Sequence, residues 1–129
     1  MQFNFNHMLQ LLILVLFSTF AQANSKTIEP QTVLKLIQKQ QAPLILDVRS
    51  AEEFAQGHIP GAINISYQSL PQNQQLNAYK EQDIVIYCRS GRRAQIASKV
   101  LQEKGFKQLI DLKGHMIAWQ KLHYPLALF

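Results

Sequence analysis

Short apolar runs alternate with longer amphipathic stretches along most of the chain. "PLILDV" (43–48) is apolar except for Asp47, the pattern of a strand buried on both faces of a sheet. "AINI" (62–65), "DIVIYC" (83–88) and "QLIDL" (108–112) predict three more strands. Residues 32–40, "TVLKLIQKQ", place Val33, Leu34, Leu36 and Ile37 on one helical stripe. Residues 93–106, "RAQIASKVLQEKGF", do the same with Ile96, Ala97, Val100 and Leu101, and Gly105 supplies the stop. A last helix, "HMIAWQKL" (115–122), brings Trp119, Ile117 and Leu122 to the core, whereas the Gln-rich stretch 70–80 is a polar helix or loop. Strands alternating with helices predict an α/β fold, a parallel sheet covered on both sides. In such sheets ligands bind at the carboxyl ends of the strands.

The first 23 residues break this pattern. "LLILVLF" (11–17) is an uncharged apolar core, and Ala21, Gln22 and Ala23 follow with the small residues that a signal peptidase needs. Residues 1–23 therefore read as a cleaved signal peptide and 24–129 as one domain, exported to the periplasm or the outside medium and free of the membrane after cleavage. The usual Lys or Arg before the apolar core is missing, so an uncleaved anchor is the alternative, although the stretch is shorter than the roughly 20 residues that span a bilayer.

Every charged residue lies after Ala23, so the predicted domain carries the whole formal charge of +5. Its lysines are scattered and no aromatic residues are interleaved among them to stack bases, which argues against nucleic acid and leaves small anions as the partners of a basic surface. The single cysteine, Cys88, cannot pair within the chain. In an oxidising compartment it is a free thiol or the half of an intermolecular disulfide.

Cys88 ends a predicted buried strand, in "IVIYCRSGRRAQIAS" (84–98), and the chain must turn at once into a helix beginning near Arg92 or Arg93. Such a turn, built on Ser90 and Gly91, aims successive backbone N–H groups inward and makes a concave anion nest at the helix N-terminus. An ordinary thiol with a pKa of about 8.5 is only about 3% ionised at pH 7. Helix terminus and arginines together lower that pKa, so Cys88 is read as a thiolate nucleophile in an anion cup. The competing reading is a small buried hydrophobe beside a solvated basic turn.

"LILDVRSAEEFAQGHIPGAINIS" (44–66), "DIVIYCRSGRRAQIAS" (83–98) and "LIDLKGHMIAW" (109–119) resemble, in order and spacing, the rhodanese family of sulfurtransferases. The resemblance implies a rhodanese-like domain with a five-stranded parallel sheet, helices on both faces, and "KTI" (26–28) as the first strand. It implies that Cys88 takes a sulfane sulfur from a small anionic donor such as thiosulfate, holds it as a persulfide, and passes it to a thiophilic acceptor such as cyanide, a small thiol or a protein thiol. Neither metal nor organic cofactor is expected, and the protein is expected to act as a monomer. The backbone from Arg89 through Ser90, Gly91 and Arg92 to Arg93 would cradle the outer sulfur and the departing sulfite, with the Arg93 side chain toward substrate and Arg89 or Arg92 steering the anion. Asp47 and Arg49, at the neighbouring strand end, would support the site, and His58 within "GHIPGA" would belong to a structural turn.

One position departs from the family pattern: two consecutive glycines usually precede the last helix, and here Gly114 is followed by His115. The departure is expected to alter the pocket edge and to leave the thiol chemistry alone. Two other classes remain for comparison. A cysteine phosphatase or arsenate reductase loop places five residues between Cys and Arg, but here four residues separate Cys88 from Arg93 and the phosphatase position holds Ala94. A non-catalytic binding module or partner-bound persulfide carrier is the other, and the retained cysteine argues against the first of these.

The signal-peptide reading has a direct check. Protein recovered from cells is expected to begin at Asn24 by intact mass and to be soluble in the periplasm or medium; full-length chain in the membrane fraction would favour an anchor.

Overall fold

In the computed structural model, residues 26–129 are described; the predicted signal peptide, with its cleavage point after Ala23, lies outside them. The strands are β1 (Lys26–Ile28), β2 (Leu44–Asp47), β3 (Ile63–Asn64), β4 (Ile84–Tyr87) and β5 (Leu109–Leu112). They form one sheet in the order β1-β5-β4-β2-β3, with every pairing parallel. The helices are α1 (Pro30–Gln38), α2 (Ala51–Ala55), α3 (Arg92–Glu103) and α4 (His115–Lys121). The polar stretch 70–80 resolves into two short 3₁₀ turns, Leu70–Gln72 and Asn77–Tyr79.

β4 is the central strand, and all four of its residues are buried. Because side chains alternate across a strand, its two faces build two cores. Ile84 and Ile86 join Leu46 and Val48 against Ala94, Ala97 and Leu101 of α3. Val85 and Tyr87 join Ile45 against Val33 of α1 and Met116 and Trp119 of α4. The predicted strands thus recur with their ends trimmed by one or two residues.

Three helix details differ from the periodicity. On α3 the apolar seam runs through Ala94, Ala97 and Leu101, while Ile96 is 42% exposed. On α4, Trp119 is fully buried but Ile117 and Leu122 face outward, because a seven-residue helix offers only one narrow buried stripe. Helix α2 was not anticipated from its apolar pattern. Its start rests on polar chemistry, a capping box in which the Ser50 hydroxyl accepts the Glu53 N–H and the Glu53 carboxylate accepts the Ser50 N–H.

The loop between β2 and α2 is pinned from inside. Asp47, wholly buried, accepts the Arg49 backbone N–H at 2.9 Å and its Nε and Nη2 protons at 3.0 and 2.7 Å. Arg49 also donates to the Gly57 carbonyl at 2.8 Å and lies over the Tyr87 ring. Asn64 donates to the carbonyls of Asp47 and Arg49, closing the network from β3. No buried side-chain N or O among the described residues lacks a partner. Asp47→Ala strands a buried guanidinium and is expected to lower unfolding free energy by about 3–5 kcal/mol. Urea titration checks this, and a loss below about 1 kcal/mol, the range of exposed pairs, would show that Arg49 escapes to water.

Candidate functional site around Cys88

Cys88 follows β4 directly, at the carboxyl end of the central strand, and is 1% exposed. The next residues reverse the chain into α3 through Gly91, the N-cap, at φ 124° and ψ −26°. A side chain would be strained there, and a Cβ would stand 3.0 Å from Nε2 of His115. This backbone turns the Gly91 N–H onto Cys88 Sγ at 3.0 Å.

The loop is docked on the next helix as well. The Met116 N–H donates to the Cys88 carbonyl at 3.0 Å and the Ile117 N–H to the Arg89 carbonyl at 3.2 Å. These are first-turn amides of α4, which have no partner inside their own helix. Gly114 sets the entry angle at φ 74°, where a Cβ would come within 2.5 Å of Cβ of Ala118. His115 follows at φ 54°, a left-handed conformation that His visits more readily than most residues. Its ring is buried under the loop, where Nδ1 accepts the Cys88 backbone N–H at 3.2 Å and Nε2 stands 3.3 Å from the Asp111 carboxylate on β5.

The electrostatics follow from this packing. Burial pushes the Cys88 thiol up, but the neighbouring His115 ring and the amides of Ala94 and Gly91 more than offset it, and the thiol falls from 9.0 to about 7. Burial acts against a charged His115 too, yet the Asp111 carboxylate and Cys88 together raise it from 6.5 to about 9. The two groups favour each other's charged forms.

The arginines have separate fates. Arg93 makes a bidentate pair with Glu53 of α2 at 2.6 and 3.0 Å, with about 30% of each side chain exposed (28% and 31%), and Arg93 holds that carboxyl down at about 2. Its charge is therefore largely matched before any substrate arrives. Arg92 opens α3 on the exposed side, and Ser90 is exposed as well. Arg89 lines a polar cleft of about 300 Å³ together with Arg49, Glu53, Gln56, Gly57, Met116 and Gln120. Of the two supporting residues, Asp47 is spent on Arg49, and Arg49 reaches the cleft wall. His58 stacks on Phe54 at 3.5 Å and its Nδ1 bonds the Phe54 carbonyl.

Sequence reasoning passed over Glu53, and its expectation that His115 leaves the thiol chemistry alone is corrected here: the ring is buried against the Cys88 loop, accepts the Cys88 backbone N–H and helps to lower the thiol. Glu53 carried one usable signal, the S-x-x-E cap, but its partner lies 40 residues away. His115 was visible as a departure from the double glycine, although nothing local indicated where its ring would lie. Among the described residues, no cluster of three or more His, Cys, Asp or Glu side chains is placed to hold a metal ion.

Comparison with known proteins agrees with this architecture. Residues 29–122 match the family described as the rhodanese-like domain. The chain is 36% identical over 84 residues to a sulfurtransferase of Allochromatium vinosum, an alignment covering 65% of this chain and 78% of that protein. It is 31% identical over 121 residues to the uncharacterized protein YibN of Escherichia coli, covering 91% and 84% of the two chains. Among solved structures, a rhodanese-like domain protein from Staphylococcus aureus superposes with a TM-score of 0.64 at 30% identity, covering 73% of this chain and 90% of that one. A rhodanese-related protein from Thermoplasma volcanium gives 0.66 at 25% identity, covering 81% and 99%. With the family match running from the residue before α1 through the end of α4, the chain belongs to the rhodanese-like family.

Proposed function

We propose that the protein is a sulfurtransferase that carries sulfane sulfur on Cys88. The observation that carries the reading is a buried thiol held near pKa 7 by the Gly91 and Ala94 amides and by His115, at the end of the central strand. Roughly half of it is thiolate at pH 7, against a few per cent for an ordinary thiol. Thiosulfate is the proposed donor. The Cys88 thiolate attacks the sulfane sulfur, a new S–S bond forms as the bond to the sulfonate sulfur breaks, and sulfite leaves with the electron pair. The product is a Cys88 persulfide anion, stabilised by inward-facing amides in the manner of an oxyanion hole. An acceptor, cyanide or the thiolate of a small molecule or partner protein, then attacks the outer sulfur and returns Cys88 as thiolate.

Two features favour sulfur over phosphoryl chemistry. The position at which a phosphatase loop carries its arginine is Ala94, which is fully buried in the α3 seam. Arg93, one residue earlier, is turned to Glu53. The cup is left to backbone amides and suits a single sulfur atom. Arg89 and Arg49, on the cleft wall, supply the positive charge that draws a dianion in. Export to the periplasm or medium remains part of this proposal.

Incubation with thiosulfate is expected to add one sulfur atom to the protein by intact mass. Cyanide or dithiothreitol should remove it, and Cys88→Ser should acquire none. Sulfur transfer by the serine variant, or rapid hydrolysis of aryl phosphates by the wild type, would refute the reading. A second expectation separates the arginines: Arg89→Ala should raise KM for thiosulfate more than Arg93→Ala does, with smaller effects on kcat, because the Arg93 charge is already matched by Glu53. Steady-state kinetics with cyanide as acceptor give both values.

A further inference from the structure

We infer that Glu53 is a specificity-determining residue: by pairing with Arg93 on the cleft wall, it makes the site favour sulfur donors of one negative charge, such as an organic persulfide or thiosulfonate, over dianions. The inference rests on the reading of Cys88 as the sulfur-accepting nucleophile and names the class of donor that suits it.

Two contacts place the carboxylate. The Ser50 hydroxyl accepts the Glu53 N–H at 3.1 Å, which fixes the residue in the first turn of α2. Oε1 then receives Arg93 Nη1 at 2.6 Å and Oε2 receives Nη2 at 3.0 Å, so each carboxylate oxygen is bonded to the guanidinium. The pair is partly exposed and contributes little to stability; its weight is electrostatic. Arg93 stands within reach of the sulfur, since its guanidinium is held protonated by the Glu53 hydrogen bond and charge first and by the charge of Cys88 after that. Without Glu53, a second free cation would face the incoming donor. Arg93 in turn holds the Glu53 carboxyl down at about 2, so the carboxylate is charged at every pH at which the thiolate forms.

The charges that remain select the donor. Arg49, Arg89 and Glu53 are the charged residues lining the cleft, and Gln56 and Gln120 add neutral amides. Arg49 gives its Nε and Nη2 protons to the buried Asp47. Arg92, exposed at the start of α3, does not line the cleft. Of the lining cations, Arg89 alone has no ion-pair partner among the described residues. One unmatched positive charge balances one negative charge. Thiosulfate brings two, so Arg89 draws it in with half of its charge uncompensated, whereas a monoanion is matched in full. The cleft volume of about 300 Å³ is also more than one small inorganic anion fills and reaches the lower end of the roughly 300–1,000 Å³ typical of organic ligands.

Alkylation of Cys88 by iodoacetate and by iodoacetamide reads this effect without any sulfur donor. Both reagents meet the same thiolate and differ by one negative charge, so the ratio of their rates cancels any change in thiol ionisation. Glu53→Gln keeps the helix cap, which Gln serves as Glu does, but cannot form the ion pair. It should raise the iodoacetate-to-iodoacetamide ratio about threefold, the effect of one unit charge several ångströms away in a wet cleft. In turnover, kcat/KM should rise about threefold for methanethiosulfonate, a monoanion shaped like thiosulfate, and by roughly the square of that, about ninefold, for thiosulfate with its two charges. Glu53→Gln combined with Arg93→Ala restores the net charge and should return the ratio to the wild-type value. Glu52→Gln, exposed on the same helix and outside the cleft lining, should leave it unchanged. Glu53→Ala, expected to act as Glu53→Gln does, is the second reading should the Gln variant fold poorly by circular dichroism. An unmoved ratio in the folded Glu53 variant, an equal rise in Glu52→Gln, or a rise that persists without Arg93 overturns the inference. A wild type that acquires no sulfur while the alkylation ratio moves would refute the proposed function alone, and sulfur transfer with an unmoved ratio would refute the role of Glu53 alone.

Discussion

The docking of the Cys88 loop onto the first turn of α4 is the constraint from which the rest of the site follows. Two loop carbonyls, those of Cys88 and Arg89, are taken by amides that α4 cannot use internally. With its carbonyls turned toward α4, the loop presents N–H groups to the sulfur, the Gly91 amide at 3.0 Å among them. Both partners gain from the arrangement, since each would otherwise bury unpaired backbone groups. Gly91 and Gly114 are the two positions at which this approach excludes a side chain, one against the His115 ring and the other against Ala118.

Charge is distributed around the thiol in layers. The innermost layer is made of backbone amides and the His115 ring, oriented by a carboxylate from the adjacent strand. Arginine charge sits further out and is partly matched, Arg93 by Glu53 and Arg49 by the buried Asp47. Fixed dipoles near the sulfur stabilise an anion without a mobile cation having to reorganise. Arg89 and Arg49 on the cleft wall act at longer range, where salt screens attraction more strongly. A cup built this way holds one sulfur atom while a larger dianion approaches from the cleft.

The buried Asp47–Arg49 pair joins the two halves of this arrangement. It fixes the turn after β2, which leads through the Ser50 cap into α2 and so places Glu53 opposite Arg93. A buried ion pair is weak evidence for stability in itself, because desolvation consumes most of the attraction. Its effect here is positional: five hydrogen bonds from Asp47 and Arg49 leave the loop one conformation.

Much of the fold was legible in the sequence because a parallel sheet covered on both faces needs nearly continuous apolar strands. "LILDV", "IVIYC" and "LIDL" are such runs, with amphipathic helices between them. Cys88 at a strand end was legible for the same local reason. Helix α2 was less so, since five residues with no fully buried side chain leave no periodic trace and only the Ser50 cap marks the start. Ile96, Ile117 and Leu122 sit on predicted stripes yet face outward, because periodicity defines a face and only neighbouring elements decide how wide a strip of it is covered. The sequence by itself determined the strands, the main helices and a lone thiol in a glycine and arginine turn, each a feature set by no more than about a dozen consecutive residues. Tertiary structure alone decided which distant groups meet: Arg93 finds Glu53 across 40 positions, and the Cys88 backbone N–H finds the His115 ring across 27. Those pairings depend on the order in which β2, β4 and β5 lie side by side, and side-chain contact between distant elements leaves no periodicity in either segment to be read.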